Sequence, residues 1–112
     1  MRKLKLKIND KDYLLEMSRD SIKWLEMNGF SIDEFDKKPV TYYDMIWMSL
    51  FLVNHKDVNP NLAIKLMDSY KKSGKKPANV IKFAIEEYQA FMSALTDTDS
   101  AENEEELEII EI

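Results

Sequence analysis

The stretch between Thr41 and Asn54 constrains the fold more than any other part of the chain, because almost every side chain in it is apolar. Pro39 stands just before it, and Thr41 followed by Asp44 is typical of a helix N-cap with an acidic residue in the first turn. At helical spacing the apolar side chains would cover nearly the whole circumference of the helix. The sequence therefore predicts a central helix over residues 41–54 that is buried on several sides.

An N-terminal hairpin is predicted over residues 3–17. Lysine and aliphatic residues alternate strictly from Lys3 to Ile8, so one face of this strand is apolar and the other is a solvated lysine face. Turn-forming residues follow at 9–12, and the apolar run at 13–17 can return as a second strand. Because a two-stranded hairpin is only marginally stable alone, we expect it to pack on the helices.

Three further amphipathic segments have helix start and stop signals, near residues 19–28, 60–73 and 77–95. With the central helix they make a four-helix body. The expected fold class is α+β, mainly α, with the N-terminal β-hairpin packed on this body and an acidic C-terminal tail. The predicted core residues are Trp24, Ile46, Trp47, Leu50, Ile81 and Ile85.

The formal net charge of −5 is distributed unevenly along the chain. Residues 96–112 contain eight acidic residues and no basic residue, which leaves 13 acidic and 16 basic residues in residues 1–95. This change in composition predicts a single compact domain over residues 1–95 and an acidic tail over residues 96–112. The tail could be disordered, pair as a strand or bind a partner.

The sequence offers little for catalysis, cofactor binding or metal binding. It has no cysteine and only one histidine, His55, which excludes thiolate and histidine-rich metal sites. Glycine-rich phosphate loops and nucleophile-elbow motifs are absent. Glu86 and Glu87 are expected on a solvated helix face, and His55 is expected to bond the last carbonyls of the central helix. We therefore predict a protein that is not an enzyme and has no cofactor or metal site.

Neither nucleic acid nor a membrane is expected as a partner. Alternating lysines on a strand usually form a solvated face that prevents edge aggregation, and lysines around Gly74 suit a helix C-terminus. The central apolar segment is shorter than the ~20 residues that cross a bilayer. No apolar run follows the basic N-terminus, so we expect no signal peptide and a cytoplasmic location.

The order of these parts resembles a known family. A hairpin of the form K-x-K-I-N-x-K-x-Y runs into a helix of the form S-R-x-x-I-K-W-L-E-x-x-G-F, and an F-x-x-N-H segment ends at His55. In this order of motifs the chain is similar to the small tail assembly chaperones of long-tailed, siphovirus-type bacteriophages and prophages. The resemblance covers residues 3–95, is most specific across residues 4–55, and rests on packing and turn residues.

The resemblance implies a non-enzymatic protein of the host cytoplasm that acts during virion morphogenesis and is absent from the mature virion. Members of the family keep the tape-measure protein soluble and help recruit tail-tube subunits around it. They often have a longer, frameshifted product that diverges near the end of the short frame, where the acidic tail lies in this chain. The family has no active-site residues to transfer.

The apolar content also predicts association. A chain of this size has more apolar surface than one small body easily covers, so we expect a homo-oligomer or a monomer that binds an extended helical client. Seven methionines would suit an adaptable binding surface, although methionine also fills gaps in cores. The candidate residues for the shared surface are Tyr42, Met45, Met48 and Leu52.

A small acidic phage or bacterial regulator, or an inhibitor that acts by protein binding, is the alternative function. The acidic tail is the argument for it. The acidic residues are concentrated in 17 positions, however, so the folded body would not itself imitate the charge of DNA. Deletion of residues 96–112 should abolish the activity of such an inhibitor and leave at least part of the client binding of a chaperone.

Overall fold

The structure, a computed structural model, describes residues 2–96 and 108–112 of the chain. The described elements form a small α+β domain that is mainly helical, as predicted from the sequence. In chain order they are strand β1 (Arg2–Ile8), strand β2 (Lys11–Leu15), helix α1 (Arg19–Met27), a 3-10 helix (Ile32–Lys37), helices α2 (Pro39–Ser49), α3 (Pro60–Lys72) and α4 (Pro77–Thr96), and strand β3 (Glu108–Glu111).

The N-terminal hairpin is confirmed, with β1 and β2 antiparallel and paired from Leu4↔Leu15 to Ile8↔Lys11. Asn9 and Asp10 form its turn with φ angles of 52° and 64°. Two residues of positive φ match the right-handed twist of the flanking strands, and asparagine and aspartate adopt this conformation readily. The aliphatic residues of β1 are buried, and its lysines lie on the opposite face.

Strand β3 adds the end of the chain to the same sheet. It runs parallel to β1 on the side away from β2, which makes the strand order β2-β1-β3. The acidic tail was expected to be disordered, to pair as a strand or to bind a partner, and Glu108–Glu111 pair as a strand. The predictions for residues 97–107 lie outside the described residues.

Helix α2 differs from the predicted central helix at both ends. It begins at Pro39, which occupies the first helical position, so the predicted N-cap at Thr41 is wrong. It ends at Ser49 instead of residue 54, because the amides of the next three residues bond carbonyls three positions back and tighten the chain into turns. The segment after Ser49 nevertheless stays buried at Leu50 and Phe51.

Trp47 is at the centre of the core. Its side chain is 0% exposed, its ring centroid lies 5.6 Å from that of Phe51 and 5.9 Å from that of Tyr70, and its indole Nε1–H donates to the Ala63 carbonyl at 2.8 Å. These contacts join α2 to α3. The apolar content of α2 therefore serves mainly to fill the interior of this domain.

Four of the six predicted core residues are buried, namely Ile46, Trp47, Leu50 and Ile81. Trp24 and Ile85 are only half-buried, so that part of the prediction is wrong. Trp24 lies at the margin of the stripe that α1 buries through Ser21, Ile22 and Leu25. Ile85 borders a groove, described below, that no other element of the described chain fills.

A buried ion pair ties the start of β1 to α4. Glu87 is 8% exposed and accepts hydrogen bonds from the backbone N–H of Arg2 at 2.7 Å and from its Nε at 2.8 Å. The Arg2 guanidinium also lies over the ring of Phe83 and donates to the exposed Glu86 at 3.2 Å. Glu86 is on the solvated face as predicted, but Glu87 is not, because its carboxylate faces the strand.

His55 protects the outer edge of β2. The backbone N–H of Leu14 donates to its Nε2 at 2.9 Å, and the ring packs against Tyr13 and Phe51. The predicted bond from the His55 ring to the carbonyls of α2 is therefore wrong, because the ring accepts a hydrogen bond from β2 instead. To accept at Nε2, the ring must be neutral and protonated on Nδ1. Burial lowers the pKa of His55, with Lys11 acting in the same direction, and nearby Asp57 opposes the shift.

We expect the free energy of unfolding to fall as the pH drops below the ordinary histidine pKa of 6.5. The unfolded chain takes up a proton there, whereas folded His55, whose pKa is lower, does not until a more acidic pH. The stabilisation from neutral His55 is complete above pH 6.5 and is lost as the pH falls through the folded-state pKa.

In urea titrations from pH 7.5 to about 5, a range chosen to stay above the ordinary carboxylate pKa values, the variant His55→Gln should lose less free energy of unfolding than the original chain. Its amide oxygen can still accept from Leu14 but does not titrate. Identical pH slopes for both proteins would contradict this role.

Candidate functional site

An apolar groove lies where the 3-10 helix, α2 and α4 meet. It has a volume of about 420 Å³ and a lining that is almost entirely apolar. The lining side chains are Phe35, Tyr43, Ala78, Ile81 and Ile85, with the exposed charged residues Lys82 and Glu86 beside them. Such a groove is suited to apolar side chains of another molecule.

Helix α4 supplies one wall of the groove through a regular repeat. Ala78, Ile81, Lys82, Ile85 and Glu86 are spaced by three and four residues, which places them on one stripe of the helix. Ile81 is buried at the base of the stripe, and Ile85 is half-exposed above it. The apolar surface of α4 therefore extends beyond the area that α2 covers.

The opposite wall comes from the 3-10 helix and α2. The Phe35 ring centroid lies 6.4 Å from that of Tyr42, a buried residue, and this contact helps hold the 3-10 helix against α2. Tyr43, the next residue, lines the groove itself. Burial, and secondarily the nearby Asp44, raises the pKa of Tyr43 above its ordinary value of 10.0, so this wall is uncharged at neutral pH.

The four residues predicted to form a shared surface do not lie together on an open face. Tyr42 and Met45 are 4% and 8% exposed and belong to the core. The Tyr42 hydroxyl donates to the Gly29 carbonyl at 3.3 Å, and its ring packs on Phe30. Met48 and Leu52 are half-buried against the core or in the turn after α2. A partner could not contact Tyr42 or Met45 without opening the domain, so both are removed from the candidate surface.

Sequence reasoning missed Phe35 and the α4 stripe as parts of a surface. The apolar stripe of α4 is visible in the sequence as a helical repeat, and from it the sequence predicts Ile81 and Ile85 as core residues. The depth to which a stripe is covered depends on the neighbouring elements, and here the short 3-10 helix leaves part of it open. The only available signal was the excess of apolar residues over what one small domain covers.

No group of three or more histidine, aspartate and glutamate side chains in residues 2–96 and 108–112 could hold a metal ion. Within the same residues, no helix has both the length and the apolar character needed to cross a membrane. The longest helix, α4, has 20 residues but includes Lys82, Glu86 and Glu87.

Comparison with known protein families gives a match over most of the chain. The sequence profile of a family described as "Domain of unknown function (DUF5055)" matches residues 1–110. The matched range runs from the hairpin through helices α1 to α4 and ends at residue 110, within β3. No curated protein and no solved structure matches the chain.

Proposed function

We propose that this chain, which belongs to the DUF5055 family, is a non-catalytic protein-binding module that acts as a phage tail assembly chaperone. In this proposal it binds the tape-measure protein in the host cytoplasm, helps recruit tail-tube subunits, and is left out of the mature virion. The observation that supports binding is the apolar groove between the 3-10 helix, α2 and α4. The choice of client follows the sequence resemblance over residues 3–95.

The groove fits the apolar stripe of an amphipathic helix. Helix-in-groove recognition uses apolar anchors spaced by three and four residues, and the lining residues Phe35, Tyr43 and Ile85 offer apolar contacts for such anchors. Lys82 and Glu86 have opposite charges and lie beside the apolar lining, so they can pair with the polar flanks of the helix. A tape-measure protein with exposed helical stripes would be protected from aggregation in this way.

Replacement of Ile85 by lysine should abolish client binding while the domain stays folded. Ile85 is half-buried in the groove, and a lysine there places a charge among apolar side chains but can extend its ammonium group into solvent. The measurement is the soluble fraction of a co-expressed tape-measure fragment. The matched control is Ala90→Lys, an exposed position on the same helix that is outside the groove lining.

The expected result is a fragment that stays soluble with the original chain and with Ala90→Lys, and is found in the pellet with Ile85→Lys. Circular dichroism melting curves establish that both variants are folded. If a folded Ile85→Lys variant keeps the fragment soluble, the groove is not the client site. If the original chain itself leaves the fragment insoluble, the proposed chaperone function is wrong.

Self-association is part of the same proposal. The open part of the α4 stripe could be covered by a second copy when no client is present, because exposed apolar patches usually mark partner sites. Light scattering over a concentration series measures the mass directly. A regulator or inhibitor that acts through its acidic residues would instead respond to deletion of residues 96–112 and not to Ile85→Lys.

A further inference from the structure

Strand β3 is held at the outer edge of β1 by few side-chain contacts. The register pairs Leu4 with Ile110 and Lys5 with Glu111. Ile110 is half-buried and packs on the core, whereas Ile109 is 59% exposed. Glu111 lies 3.7 Å from the Lys5 ammonium group, and both side chains are largely exposed. Ion pairs of this kind contribute little to stability, so Ile110 is the main anchor among the β3 side chains that the structure describes.

The two edges of the sheet are protected differently. At the β2 edge, His55 accepts the Leu14 N–H and the Asn54 amide donates to the Leu14 carbonyl at 3.3 Å. These side chains belong to the segment just after α2, which is anchored in the core. At the other edge, β3 is the neighbour of β1 in the part of the chain that the structure describes. Without β3, the backbone groups of β1 and the apolar surface beside Leu4 would be exposed.

We infer that the outer edge of β1 is an acceptor site for an extended segment of a partner protein, and that β3 is a resident strand which this segment displaces. The segment would add parallel to β1, as β3 does. It would place an aliphatic side chain at the position of Ile110, beside Leu4, and a carboxylate at the next position, facing Lys5. An exposed strand edge is a known template for such addition.

Charge complementarity identifies the partner segment as acidic. The solvated face of β1 presents three lysines, of which Lys3 and Lys5 lie 3.5 and 3.9 Å from Glu16 and Asp12 of the hairpin. The resident strand adds Glu111 beside Lys5 on that face. A basic segment would meet like charges there. This site lies on β1 and is separate from the groove formed with α4. A negative result at one site therefore leaves the proposal for the other site unchanged.

A reversible lock on β3 tests the inference in the full chain. The chain has no cysteine, so the double variant Lys3→Cys with Ile109→Cys, a direct pair of the register, can form only one disulfide within the molecule and leaves Lys5 in place. Direct partners on neighbouring strands lie within the Cα separation that a disulfide allows. The probe is a fluorescent peptide with the sequence of Glu108–Ile112, and its binding is followed by anisotropy.

The reduced double variant should bind the peptide, and oxidation should abolish binding because β3 can no longer leave. A chain that ends at residue 107 should bind the peptide more tightly than the full chain by about tenfold or more, because a tethered strand competes at an effective concentration of the order of millimolar. Peptides with aspartate at the position of Ile110, or lysine at both glutamates, should not bind to either protein.

Equal binding by the oxidised and reduced forms would overturn the inference. The same holds if a shortened chain that keeps its near-ultraviolet circular dichroism does not bind the peptide. If the shortened chain fails to fold, the comparison of peptide binding by the oxidised and reduced double variant tests the inference by itself. Mixing the single variants Lys3→Cys and Ile109→Cys tests a second copy as the occupant, and an oxidised dimer formed in high yield would overturn the assignment to a different protein.

Discussion

Replacement of Trp47 by alanine is expected to lower the free energy of unfolding by about 3 to 5 kcal/mol, the range for deletion of a buried aromatic ring. Trp47 is fully buried, touches Phe51 and Tyr70, and donates a hydrogen bond to the Ala63 carbonyl of α3. Alanine would leave a cavity between α2 and α3. Since small domains are stable by about 5 to 15 kcal/mol, much of the total stability would be lost.

Urea titration followed by circular dichroism measures this effect, with two variants for comparison. Trp47→Phe keeps most of the ring but removes the donor, so it isolates the loss of the indole hydrogen bond, about 0.5 to 1.5 kcal/mol. Val40→Ala changes a side chain on the same helix that is 73% exposed and should cost less than about 0.5 kcal/mol. A loss below about 1 kcal/mol for Trp47→Ala would show that the core is not organised around this residue.

Replacement of Glu87 by alanine should destabilise the domain by about 2 to 3 kcal/mol. Removal of one partner of a buried ion pair costs about 3 to 5 kcal/mol, and we reduce this because the Arg2 side chain is 33% exposed and keeps contact with solvent. The variant also deprives the Arg2 backbone N–H of its acceptor. The result would be a loosened junction between β1 and α4.

Two substitutions separate the parts of this effect. Glu87→Gln keeps an acceptor for the Arg2 N–H but loses the charge, so it should be less harmful than Glu87→Ala. Glu86→Ala removes the neighbouring, exposed member of the cluster and should cost less than about 0.5 kcal/mol. All three are compared by urea titration at low and high salt. Equal effects for Glu86→Ala and Glu87→Ala would contradict the buried pair.

Several local features could be predicted from the sequence because neighbouring residues determine them. The alternation in β1 and the Asn9-Asp10 turn define the hairpin. The Ser18 hydroxyl caps α1 by accepting the Ser21 N–H, and Asn59 caps α3 by accepting the Leu62 N–H. Caps, turns and the period of a strand depend on short-range geometry, so a single sequence shows them.

Other features were decided only when the elements packed. Because α2 is apolar nearly all round, its period does not show which face is buried, and the structure places Tyr42 inside and Tyr43 in the groove. Glu87 is buried only because Arg2, 85 positions earlier, lies against it. The pairing of β3 with β1 likewise joins the two ends of the chain. Contacts between residues so far apart are set by the relative placement of whole elements, which local sequence patterns do not determine.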